Sequence, residues 1–176
     1  RHVLTVAGTN GKGSTVETAG LIAQSHGLCF GQYTSPHIHH IHERIRVSGH
    51  PVSDAELVAA FGRVESARDS VFLTYFEFLT LAAFVIFQHH QLDLWILEIG
   101  LGGRLDAVNV IDPDVSVITS IGLDHQAYLG TTEEAIAREK AGVMRAGVTT
   151  FSAAINVRKT LDDEAVRQGG LMRWLD

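Results

Sequence analysis

The 176-residue chain has one cysteine, three prolines and no long hydrophobic run. A single thiol excludes an internal disulfide framework and a Cys-rich zinc site. Cys29 falls in an apolar run and is expected to be a buried, inert thiol. With no disulfide to maintain and no visible signal peptide, a cytoplasmic location is expected. The most apolar stretch, residues 71–87, carries Glu77 and two threonines and falls short of the ~20 residues a membrane span needs. Positive charge is also in deficit. Fourteen Lys and Arg against twenty Asp and Glu give a net charge of -6, which argues against a nucleic-acid partner. What remains is ordinary: 45% hydrophobic residues, enough to bury the core of one domain.

Strand and helix signals alternate along the chain. Short apolar runs at Val3–Ala7, Leu28–Thr34, Leu94–Ile99, Val115–Thr119 and Val148–Ser152 predict strands, and Glu43–Val47 is expected to be extended. Helices are expected over Ser14–His26, after a Ser53/Glu56 capping box, over Tyr75–His90, after a second box at Thr131/Glu134, and weakly over Asp162–Gln168. This alternation predicts an α/β fold: a three-layer, mostly parallel sheet with helices on both faces. Ligands in such sheets sit at the carboxyl ends of the strands. Polar segments fall at those ends: Gly8–Ser14, Thr34–His37, Glu98–Asp106 and Asp124-His125.

The segment Gly8-Thr9-Asn10-Gly11-Lys12-Gly13-Ser14 joins the first strand to the first helix. Its glycines let backbone amides face an anion, the helix N-terminus adds unpaired N–H groups, and Lys12 adds a full positive charge. The segment reads as a P-loop-type phosphate site with two departures, against the plainer reading of a glycine-rich turn with a solvated lysine. Val6 stands at the first glycine position, and Gly13 stands where a magnesium-binding hydroxyl is usual, with Ser14 one residue late. The metal therefore needs ligands from elsewhere. A dinucleotide site is the rival reading, but the second strand ends in Thr34-Ser35 rather than in an acidic residue for a ribose. Lysine is scarce, with Lys12, Lys140 and Lys159 against eleven arginines, so a lysine in this loop is less easily surface decoration.

Taken with Thr34-Ser35-Pro36-His37, Glu98-Ile99-Gly100-Leu101-Gly102-Gly103-Arg104-Leu105-Asp106, Asp124-His125 and Glu139-Lys140-Ala141-Gly142, the loop resembles that of the folylpolyglutamate synthase and dihydrofolate synthase family. These are ATP-dependent amide ligases within the Mur ligase superfamily. The resemblance runs from His2 to Gly147; the tail from Phe151 departs from it. It implies a Mur-ligase-like central ATP-binding domain over residues 1–176, a fragment without the family's C-terminal domain, binding ATP weakly and turning nothing over alone. It implies that Thr9, Asn10, Gly11, Lys12, Gly13 and Ser14 hold ATP, that Ser35 and Glu98 bind a first magnesium, and that His125 binds a second. In relatives the lysine matching Lys140 is often carbamylated, which makes it a carboxylate-like group near the second metal. The implied reaction phosphorylates a carboxylate of dihydropteroate or a reduced folate and couples it to L-glutamate. Lys12, His125 and Lys140 are then the catalytic candidates. The alternatives are another Mur-type amino-acid ligase and a nucleotide-binding module without ligation.

Some features invite other readings. His37, His39, His40 and His42 suggest a zinc site, but the family motif covers only His37, and a solvated cluster is the simpler reading. Gly100–Gly103 suggests a second phosphate loop; the glycines are instead expected to let the chain pass close beneath the metal site, with Arg104 or Asp106 fixing the turn. Arg104 is a secondary candidate for phosphate contact, Phe76 for a pterin-site wall, and Glu43, Arg44 and Arg46 read as a charged strand edge.

Overall fold

Short Val/Leu/Ile runs closed by glycine or polar residues fold as strands buried on both faces, the pattern of a parallel sheet. The computed structural model describes residues 1–175. Eight strands form one sheet: β1 (His2–Ala7), β2 (Phe30–Tyr33), β3 (Ile45–Val47), β4 (His50–Pro51), β5 (Leu94–Glu98), β6 (Val115–Ile118), β7 (Thr149–Ser152) and β8 (Leu171–Trp174). Their order is β4-β3-β2-β5-β1-β6-β7-β8. The six strands from β2 to β8 in that order run parallel, and the β3–β4 hairpin closes one edge antiparallel. Pro51 sits in the outermost strand, where its missing N–H costs no ladder bond.

Side chains alternate across the strands and divide the core. Leu4 and Val6 face α1 (Lys12–Ser25) and pack with Val16, Ala23, Phe30 and Ile96. Val3 and Ala7 face the other way, into a larger core. That core is filled from α2 (Asp54–Arg68), α3 (Tyr75–His90), α5 (Glu133–Lys140) and α6 (Arg158–Gln168). A four-residue helix, α4 (Gln126–Leu129), follows β6. The two layers are unequal: one helix on one face, four on the other.

The Ser53/Glu56 capping box forms as expected, and Thr74/Glu77 makes another at the start of α3. The expected Thr131/Glu134 box shifts by one residue: Thr132 caps α5 by accepting from the Ala135 N–H at 3.2 Å. Cys29 is exposed, not buried, because β2 begins one residue later and its backbone N–H is tied to the Asp93 carboxylate at 2.9 Å. The tail after Phe151 is regular: β7, α6 and β8 continue the right-hand side of the sheet, and Leu161 and Ala165 close the core. Among the described residues no helix is long and apolar enough to cross a membrane.

Candidate active site

Three neighbouring strands, β2, β5 and β1, end at the same rim. Val6 lies beside Glu98 in the ladder, and Tyr33 beside Leu97, so the residues that follow β1 and β2 flank the Glu98 carboxylate. The turn after β1 bends at Gly8 (φ +148°) and Gly11 (φ +86°), conformations that favour glycine. Gly11 is the N-cap of α1 and offers no capping side chain, so the first N–H groups of the helix stay open to an anion.

The turn is braced from outside. Thr9 N–H donates to Ser120 O at 2.7 Å and Asn10 N–H to Ser120 Oγ at 3.1 Å, while Thr119 Oγ1 donates to Asn10 O at 2.7 Å. Thr119 and Ser120 escape motif reading. The available signal was a hydroxyl pair at the carboxyl end of the strand next to β1.

Lys12 curls over the turn and donates to Gly8 O at 3.1 Å and Thr9 O at 3.2 Å. Glu98 is buried, and its Oε2 accepts the Ser35 N–H at 3.1 Å. Burial pushes its carboxyl pKa up, opposed by the Ser35 N–H and the Lys12 charge. Ser35 itself precedes a cis peptide to Pro36.

Lys140, the last residue of α5, is 5% exposed and donates to the same Gly8 O at 2.7 Å. Its amine is pushed down to about 8, chiefly by burial and then by Lys12, against Asp124 and Asp106. Two lysines converging on one carbonyl repel each other, an arrangement complementary to an anion with several charges. Between them lies a cleft of about 30 Å³ lined by Gly8, Lys12, Gly100, Asp124, His125 and Lys140. His125 begins α4 with φ +48°, its side chain half-exposed and its N–H on Asp124 Oδ1 at 2.8 Å. Lys12, Ser35, Glu98, His125 and Lys140 are thus gathered at one rim, with Thr9, Asn10, Gly11, Gly13 and Ser14 in the turn beside them.

A second pocket of about 310 Å³ adjoins this cleft through Leu101, Gly102 and Leu129, which line both. Phe76 forms part of its wall, with its ring against Gly100 and 6.0 Å from the Tyr33 ring. Asp106 ties the turn: its oxygens accept Leu101 N–H at 2.8 Å and Val108 N–H at 2.9 Å. Arg104, the secondary candidate for phosphate contact, pairs with Glu139 at 2.9 Å and does not line the cleft beside Lys12.

The four histidines of residues 37–42 do not converge on one point: the His39 and His40 rings lie beside each other, 6.5 Å apart, and the other two take separate partners. His37 Nδ1 accepts from Arg44 Nε at 2.8 Å, and His42 pairs with Asp54 at 2.8 Å. Among the described residues, no group of three or more His, Cys, Asp or Glu is arranged to hold a metal ion. Glu43 is a loop builder rather than a strand-edge charge. It accepts the N–H groups of Ile38, His39 and His40, which hold its pKa down to about 2. Arg44 is buried beside the Tyr75 ring.

Comparison with known proteins gives consistent matches. Residues 6–168 match the family model described as Mur ligase middle domain. The dihydrofolate synthase/folylpolyglutamate synthase of Escherichia coli K12 is 46% identical over 97% of the chain and 40% of its own length. The E. coli FolC structure in complex with DHPP and ADP superposes with a TM-score of 0.97 at 46% identity, covering 98% of this chain and 42% of that one. The Yersinia pestis bifunctional folylpolyglutamate synthase/dihydrofolate synthase, complexed with AMPPNP and Mn ion, gives 0.95 at 45% identity over 98% and 42%. The chain thus spans about 40% of the length of the relatives it matches.

Proposed function

The chain belongs to the Mur ligase middle-domain family, and on that premise we propose that residues 1–176 are the ATP-binding domain of a ligase that adds L-glutamate to a pteroate or folate carboxylate. The observation that carries this reading is the meeting of Lys12, Ser35 and Glu98, from the ends of three adjacent strands, at one glycine turn. The relatives' complexes with ADP, DHPP, AMPPNP and Mn support it.

The open N–H groups at the start of α1, Gly11 to Ser14, and the Lys12 ammonium hold the triphosphate, with Thr9 and Asn10 shaping the turn beside it. The donor set also fits a hard divalent cation. Magnesium takes one or two carboxylate ligands and completes its octahedron with water and phosphate, so a protein cage is unnecessary. Glu98 supplies a buried carboxylate that accepts the Ser35 N–H, and Ser35 itself carries a hydroxyl. His125, which lines the same cleft, would hold a second cation. Bound there, such ions would neutralise phosphate charge.

Lys140 has the chemistry for carbamylation. Burial leaves a substantial fraction of its amine neutral near physiological pH, the form that adds carbon dioxide. The product replaces one of two repelling cations with an anion able to face His125 and a metal. The 310 Å³ pocket with its Phe76 wall accepts the aromatic ring system of the pteroate, leaving the substrate carboxylate toward the turn. The carboxylate attacks the terminal phosphorus of ATP, ADP leaves, and the glutamate amine then displaces phosphate to form the amide. Positioning and fixed charge supply the rate; no side chain forms a covalent bond to the substrate. The rest of the ligase completes the adenine and glutamate sites.

The test uses the full-length protein. Dihydropteroate or a reduced folate should stimulate ATP cleavage in the presence of glutamate and yield the glutamylated product, and a muramyl nucleotide should not. Stimulation by the muramyl nucleotide, or ATP cleavage without ligation, would overturn the assignment. The isolated 176-residue chain is expected to bind ATP weakly and to form no product.

A further inference from the structure

The loop 100–106 and the end of α5 press together more closely than a salt bridge alone requires. Arg104 N–H donates to Glu139 O at 2.9 Å, and its Nη2 and Nε both reach Glu139 Oε1, at 2.9 and 3.2 Å. A Cβ on Gly103 would lie 2.7 Å from Glu139 O and 2.9 Å from Lys140 O. A Cβ on Gly142 would run into the Arg104 backbone. Asn109 Nδ2 bridges the two segments, donating to Arg104 O at 3.3 Å and to Gly142 O at 2.9 Å. Lys140 sits inside this contact, next in sequence to Glu139, and its amine reaches across the core to Gly8 O.

The Arg104 and Glu139 side chains are 55% and 27% exposed. An ion pair so open to water adds about 0–1 kcal/mol to stability. Its consequence is therefore geometric. α5 gives way to a 3₁₀ turn at Ala141, so its last turn has little continuing helix to hold it. We propose that the Arg104–Glu139 pair is a positioning device for Lys140: it fixes the last turn of α5 against the 100–106 loop and so keeps the Lys140 amine on the phosphate loop. Arg104 acts through Glu139 and need not touch substrate. The kinetic side of this proposal rests on the ligase reading; the geometric side does not.

The experiment compares wild type, Arg104→Gln, Glu139→Gln and Arg104→Lys in the full-length protein. Its first readout is lysine acetylation in carbonate-free buffer, followed by mass spectrometry. Lys159, 88% exposed, is the internal reference for reagent and time. Lys140 should be protected in wild type and react about fivefold faster or more, relative to Lys159, in Arg104→Gln and Glu139→Gln, as expected for local opening. The second readout is turnover. kcat should fall about tenfold in both variants with the KM for ATP nearly unchanged, the pattern of a misplaced group rather than lost binding. Arg104→Lys keeps the charge and should recover most of kcat.

Unchanged Lys140 labelling in Arg104→Gln would overturn the proposal, whatever happens to kcat. Increased labelling with kcat at the wild-type level would overturn it too, because the geometry would then not matter to catalysis. If wild type shows no glutamate-dependent turnover, the ligase reading fails, and the labelling ratio alone decides whether the pair positions Lys140.

Discussion

Two glycine turns stand at the same edge of the sheet, and they use glycine for opposite ends. In the turn after β1, a Cβ on Gly8 would strike the bracing Thr119 Oγ1, but beyond it an added Cβ on Gly11 would meet nothing nearer than 3.8 Å, and one on Gly13 nothing nearer than the Glu98 carboxylate at 3.9 Å. At Gly11 and Gly13 the missing side chains leave room, and the open helix N-terminus faces that room; only Gly8, at the strand end, is filled from a neighbour. In the turn after β5, a Cβ on Gly100 would lie 2.5 Å from Phe76, on Gly102 2.9 Å from Leu129, and on Gly103 2.7 Å from the α5 backbone. There the missing side chains are replaced by other parts of the protein. One turn is shaped for a ligand and the other for packing. Glycine content alone does not separate them; what lies within 4 Å does.

The largest expected effect breaks the first turn's chemistry without touching its shape. Glu98→Gln keeps an acceptor for the Ser35 N–H and removes the charge. Turnover of the full-length protein should fall by about 100-fold or more, the scale for losing the carboxylate that would hold the cation neutralising the transferring phosphate. Stability should move the other way. Burial raises the Glu98 pKa, so the ionised form is a cost to the folded state at neutral pH, a cost that disappears as pH falls below the ordinary glutamate range. Glu98→Gln should therefore be at least as stable as wild type at pH 7, with the difference fading toward pH 4. Lost turnover with an unchanged or raised urea midpoint is the signature; a collapsed midpoint would mean that Glu98 is structural.

Much of this contrast was legible before any coordinates. The alternation of apolar runs with capped helices fixes the layers, and ligand sites of parallel sheets fall at strand ends, so Gly8–Ser14, Ser35 and Glu98 had to lie on one side. Lys140 was reachable only through a family motif, because nothing local says that the end of α5 crosses to Gly8, 132 residues away in sequence. Thr119 and Ser120 were missed because bracing hydroxyls look like any strand end. Arg104 reads both as a residue fixing the turn and as a secondary phosphate contact, because a charge beside glycines looks the same whether it meets a ligand or a carboxylate; here it meets Glu139. The final strand, β8, was overlooked because Leu171–Trp174 is short and half-exposed, at the sheet's edge.

A middle-sized effect sharpens the contrast from the packing side. Gly103→Ala forces a Cβ against the Glu139 and Lys140 backbone and should cost about 1–3 kcal/mol, as overpacking does. Gly13→Ala sits in the first turn of α1 with space around it and should be neutral or slightly stabilising, since alanine gains up to about 1 kcal/mol over glycine in a helix. Urea unfolding of both variants measures the difference. Equal losses would erase the distinction between the two turns.

The smallest effect concerns the residue that joins them. Lys140 packs its backbone on the second turn and sets its amine on the first. Its folded-state pKa of about 8 lies below the ordinary 10.5, so the unfolded chain binds a proton more tightly than the folded one. Below pH 8 both states carry the charge, and the folded state bears the cost of burying it. Between about 8 and 10.5 the folded state releases its proton first, and stability should rise with pH. Lys140→Met, of similar length and without the amine, has no such term. The unfolding free energy of wild type minus that of Lys140→Met should therefore climb from pH 7.5 to pH 9.5 in carbonate-free buffer. Added bicarbonate should flatten the climb if the amine is carbamylated, because a carbamate has no ammonium to titrate. A difference that is flat without bicarbonate would mean that the amine is not confined between the two turns as a buried charge.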